Sequence, residues 1–104
     1  MSWTGTDFDS CGPDEQAVYG FDFIDILASG ELIADYTFAI EVVEGMDPAI
    51  STRLAPSGEL DSTIVTWLVG PLAAGVTYRL TATVTTLRPQ TLELWAHLAC
   101  AAPR

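Results

Sequence analysis

A chain of 104 residues is the size of one domain, long enough to bury roughly two-thirds of its unfolded surface around a single core. Hydrophobic residues make up 49% of it, yet Gly70-Pro71 interrupts the most apolar run, so no stretch approaches the ~20 residues that a membrane-spanning helix requires. Fourteen carboxylates against four arginines and no lysine set a net charge of −10, which disfavours nucleic acid and membrane as direct partners.

Residues 1–17 are rich in Asp, Ser, Gly and Pro around two isolated aromatics, Trp3 and Phe8. They read as an acidic N-terminal arm ahead of a domain spanning 18–104, with Trp3 and Phe8 expected to anchor on a neighbouring chain. Asp7, Asp9, Asp14 and Glu15 stand there without a base, so the segment lacks the basic start of a secretory signal and synthesis and use without export is expected. Asp7-Phe-Asp9-Ser-Cys11 imitates the opening of a calcium loop, but the fifth position is Cys and the twelfth is Val18 instead of a bidentate Glu.

A first strand is expected from about Val18 to Phe23, followed by a turn, Ile24–Gly30, that carries apolar residues inward. Leu32, Ala34, Tyr36, Phe38, Ile40 and Val42 then alternate with Asp35, Thr37, Ala39 and Glu41, the period of a strand with one buried and one wet face. Glu44–Pro48 and Pro56–Gly58 are turn chemistry, with a short strand expected between them at Ala49–Leu54. The next strand, Ser62–Val69, has two candidate inner faces, Ile64/Thr66/Leu68 and Val65/Trp67/Val69. Trp67 accordingly belongs either to the core between sheets or to an interface.

Leu72-Ala-Ala-Gly75-Val-Thr-Tyr78 reads as the corner of a β-sandwich. Gly75 lets the chain turn sharply, and Tyr78 at the start of the following strand can bury its ring and bond its hydroxyl to main chain between about Pro71 and Gly75. That is the tyrosine corner of immunoglobulin-like sandwiches. Val76, Tyr78, Leu80, Ala82 and Val84 face inward and Thr77, Arg79, Thr81, Thr83 and Thr85 outward. Leu87–Gln90 leads into a last strand, Thr91–Ala99, with Leu92, Leu94, Ala96 and Leu98 on one face and Trp95 and His97 on the other.

Cys11 and Cys100 lie near opposite chain ends, and a disulfide between them would add roughly 3–5 kcal/mol. The favoured reading keeps them unpaired, Cys100 as a small core residue and Cys11 as a turn residue in a mobile arm. His97 is the sole histidine and the cysteines lack short ligand spacing, so no zinc site is expected. No serine sits in a glycine-rich elbow near that histidine, and the carboxylates are scattered over turns and outward positions, so neither catalysis nor a cofactor is expected. Trp95 on an outward strand face is the more informative residue, because tryptophan is enriched at interface hot spots. It is expected, with His97, to contact another chain, unless a loop or the arm of its own chain covers it.

Six or seven short strands with turn signals between them and no convincing helix read as an all-β protein, an immunoglobulin/fibronectin-III-like antiparallel β-sandwich. The stretch from about Val18 to Leu98 resembles the small immunoglobulin-like fibre-tail adaptors of tailed phages. The match runs through Phe21-Asp-Phe23, Leu27, Gly30-Glu-Leu-Ile33, Thr66-Trp-Leu-Val-Gly70, Ala74-Gly75, Tyr78 and Thr85-Thr86. Pro71-Leu72 departs from the commoner glycine-rich turn, and the acidic arm is long. The resemblance implies a non-enzymatic virion protein, made in the host cytoplasm, that sits in a symmetric ring where neck, connector or tail proteins meet fibres. A capsid decoration protein and a secreted or cellular binding module are the rival readings; a Cys11–Cys100 disulfide would favour the latter.

Overall fold

Alternating side chains build two sheets that close on one another. The computed structural model describes residues 2–3, 7–8, 11–12, 15–27, 30–88 and 90–101. Its strands are β1 (Ser2–Trp3), β2 (Ala17–Asp22), β3 (Ile33–Glu44), β4 (Glu59–Asp61), β5 (Ile64–Val69), β6 (Thr77–Thr86) and β7 (Thr91–Ala99). One sheet has the order β1-β7-β6-β3 and the other β2-β5-β4, every pairing being antiparallel except the parallel one of β1 with β7. The chain is therefore an all-β sandwich. Sequential strands pair only at β4–β5 and β6–β7; the connections 23–32, 45–58 and 70–76 each cross between sheets.

The period-2 reading holds best in β6 and β7. Tyr78, Leu80, Ala82 and Val84 are wholly buried, and Leu94, Ala96 and Leu98 pack beside them. Facing them from the second sheet are Phe21, Phe23, Val65 and Val69. Trp67 is turned inward too, its ring stacked on Phe38 with centroids 5.6 Å apart. Ile64 and Leu68 consequently point to solvent, which settles the inner face of β5.

Four expectations are corrected. At the start of β3 a bulge sets Ile33 opposite Thr86 and Asp35 opposite Thr85, so the strand gains a residue and changes phase. Ile33 packs on the core, while Leu32 and Ala34, expected inside, are exposed. Ala49–Leu54 is not a strand: Ile50–Thr52 is a 3₁₀ turn, and Leu54 alone makes a bridge, to Val69. Ser62–Val69 is shorter than expected, because Ser62 and Thr63 form the two-residue turn between β4 and β5, with Ser62 at φ 58°. In the Ile24–Gly30 turn Leu27 packs inward, whereas Ile24 and Ile26 stay exposed.

The N-terminal segment also differs from an arm. Ser2 and Trp3 are in register with Leu94 and Trp95. Further along, the Phe8 N–H donates to the His97 carbonyl (3.0 Å) and the Cys11 N–H to the Ala99 carbonyl (3.0 Å). The described residues of this segment thus run parallel to β7 and occupy its open edge. Cys11 is buried in the core instead of lying on a mobile turn. Edge strands expose unpaired N–H and C=O groups, and this arrangement covers part of one.

Candidate protein interface

Tyr78 forms the expected corner and does more. Its ring is fully buried, and its hydroxyl accepts a hydrogen bond from the Ala73 N–H (3.0 Å), inside the predicted stretch. The same hydroxyl donates to Asp47 Oδ2 at 2.6 Å. Asp47 is itself buried, and Arg53 grips both its carboxylate oxygens, through Nε at 2.9 Å and Nη2 at 3.0 Å. Arg53 Nη1 reaches on to the Pro71 carbonyl (3.0 Å), and the Ala49 N–H donates to Asp47 Oδ1 (3.0 Å). Leu72 is buried in the core, and Gly75, at φ 79°, makes the left-handed turn that its lack of a Cβ permits. Around the same turn, the Gly75 N–H donates to the Cys100 carbonyl at 3.0 Å.

The electrostatics follow from burial. Its hydrogen bonds from Arg53 hold the Asp47 carboxyl down to about 2, against the desolvation that would raise it. Burial pushes the Tyr78 phenol up to about 12, with the Asp47 hydrogen bond acting in the same direction. A carboxylate with four donors on its two oxygens is a structural pin: it ties the crossover 45–58 to Tyr78 of β6, and Arg53 carries the tie on to Pro71 in the crossover 70–76. Sequence reasoning missed Asp47 and Arg53. Aspartate is a poor candidate for burial, and the only hint was the Asp47-Pro48 turn.

On the outer face of the four-stranded sheet, Trp95 and His97 lie as expected, half-buried, with ring centroids 5.1 Å apart. The Arg79 guanidinium sits over the indole at 5.7 Å from its centroid, within cation–π range, and donates through Nε to Glu41 (2.7 Å). Threonines 81 and 83 surround them at half exposure. The result is an outer sheet face that carries a tryptophan stacked under an arginine, two residue types enriched in hot spots. Asp7 Oδ1 accepts the His97 backbone N–H at 3.1 Å, so the N-terminal segment borders this face.

Phe8 has a different place. Its ring meets Tyr19 edge-on at 4.9 Å and Phe21 at 5.5 Å, so it anchors the segment to its own domain. Trp3 is described through its main chain only. Asp9 and Ser10 of the calcium-like run lie outside the described residues.

Residues 12–98 match the family described as podophage GP4 fiber-tail adaptor protein gp77. The chain belongs to that family. No curated protein matches it. Membership makes the fibre-tail adaptor a structural protein of the phage virion, associated with the tail and in contact with other tail proteins. The match begins beside Cys11 and ends at Leu98, covering both sheets apart from β1 and the end of β7.

Proposed function

We propose that this chain links fibres to the neck or tail of a podophage particle, as a non-enzymatic adaptor present in several copies around a symmetric ring. The single observation that carries the reading is the family match over residues 12–98. Repetition in a ring supplies avidity that one small contact lacks, so a domain with modest faces is sufficient. The strand order, β2-β5-β4 against β3-β6-β7 with a corner tyrosine opening β6, supports an immunoglobulin-type sandwich as the rigid body. In this reading the outer face around Trp95, His97 and Arg79 meets a neighbouring virion subunit, and β1, with Trp3 in register with Trp95, extends its rim. Acidity steers the chain toward basic protein surfaces and away from nucleic acid and anionic membrane.

The test is assembly. The purified chain should be monomeric alone and should bind particles lacking the adaptor, and imaging of those particles should show symmetric density between tail and fibres. Density on the capsid shell instead would make it a decoration protein. Failure to bind any particle component would sink the adaptor role.

A further inference from the structure

The outer face of the second sheet is unlike the threonine-rich face around Trp95. Val18 and Leu68 are paired across β2 and β5 and remain 63% and 36% exposed, and Ile64, 38% exposed, continues the apolar strip two residues along β5 from Thr66. Between Val18, Thr66 and Leu68 on one side and Ser57, Gly58 and Glu59 on the other opens a cavity of about 180 Å³. A cavity of about 150 Å³ holds a benzene-sized group, so this one has room for a single aliphatic or aromatic side chain. Its wall depends on Gly58: a Cβ there would stand 2.1 Å from the Trp67 ring and 2.3 Å from the Thr66 carbonyl oxygen. The loop is thereby held close against β5.

Charge identifies the occupant. Residues 15–27 and 54–69, which supply β2, β4, β5 and the cavity rim, contain Glu15, Asp22, Asp25, Glu59 and Asp61 and no Arg or Lys. The nearest arginine in sequence, Arg53, is held by Asp47 and the Pro71 carbonyl. We infer that this face is a second docking surface, which takes an apolar side chain of another virion protein flanked by lysine or arginine. The inference rests on the adaptor role and deepens it: a linker needs two separate surfaces, and this face and the Trp95 face lie on opposite outer sides of the sandwich.

Two exposed changes on the full chain test it, Leu68→Glu, which places a charge at the cavity wall, and the rim reversal Glu59→Lys with Asp61→Lys. Binding is measured to adaptor-free particles and, separately, to purified fibres, with thermal unfolding as the control for folding. Each variant should bind one of the two probes at least tenfold more weakly at an unchanged unfolding midpoint. Wild-type binding to that probe should also fall steeply with added salt. If Leu68→Glu does not fold, the rim reversal decides. A folded variant that binds both probes like wild type overturns the inference and leaves the adaptor role standing. Wild-type chain that binds neither probe removes the adaptor role itself, and this inference with it.

Discussion

Tyr78, Asp47 and Arg53 share one hydrogen-bonded network, and each reads out differently. Tyr78→Phe leaves the ring packed but strips the Ala73 N–H of its acceptor and Asp47 of a donor. The expected loss is about 1–3 kcal/mol in chemical unfolding. Asp47→Ala should cost more, about 3 kcal/mol, since the guanidinium then loses its partner; the 22% exposure of the Arg53 side chain lets water recover part of that. Acid should act through the same carboxyl. Its folded pKa of about 2 lies below the reference 3.8, so its contribution is complete above about pH 4 and is lost as pH falls through 2. The amount is about 2 kcal/mol, measured as the unfolding midpoint against pH, and Asp47→Asn should flatten that limb. At the alkaline end the sign reverses. Tyr78, raised from 10.0 to about 12, stabilises the fold below pH 10, and that stability is lost as pH rises through 12, visible as late tyrosinate absorbance.

Among the elements, β6 and β7 were readable because buried residues alternate regularly with threonine or Arg79 along β6 and with Glu93, Trp95 and His97 along β7. The opening of β3 was not, because a bulge adds one residue and inverts the phase with no residue type to announce it. The β4–β5 turn was hidden for a related reason: Ser62 adopts a positive φ without the glycine or asparagine that normally signals one. Ile50–Thr52 alternates like a strand but is wound into a 3₁₀ turn by the need to bring Arg53 back to Asp47. The N-terminal segment carries the clearest consequence. Phe8 and Cys11 pack on the core and hydrogen-bond to β7, so deleting residues 1–11 should lower stability by on the order of 3 kcal/mol instead of leaving the domain untouched. An unchanged denaturation midpoint for that truncation would show the segment to be a loose arm. Phe38→Ala, which removes the ring stacked on Trp67, should cost roughly 3–5 kcal/mol by the same measurement. Folded-state reactivity offers an independent view: burial pushes the Cys100 thiol up to about 11, so alkylation near pH 8 should be slow until the chain unfolds.

For the whole molecule, assembly is the relevant readout. Trp95 is half-buried under Arg79 on a face that contributes nothing to the inner core. Trp95→Ala should therefore leave the unfolding midpoint within about 1 kcal/mol of wild type, yet weaken incorporation into particles by about 2 kcal/mol or more per contact. The converse, lost stability with normal incorporation, would make Trp95 a structural residue, and docking would have to be sought at the Glu44–Pro48 and Pro56–Gly58 turns. His97, beside it, should have a smaller effect of the same kind.

From its own order of residues the chain determined the β class, the inward and outward faces of β6 and β7 and the burial of Tyr78 with its hydroxyl on the Ala73 N–H. These depend on period-2 alternation and turn chemistry, which act between neighbours a few residues apart. Tertiary structure alone decided that Trp67 faces Phe38, that the N-terminal segment lies along β7, and that Asp47 meets Tyr78 across 31 positions. It alone opened the hollow beside Gly58. Each of those depends on contacts between residues distant in sequence, where the free energy of closing the sandwich, not any local preference, selects which face is buried.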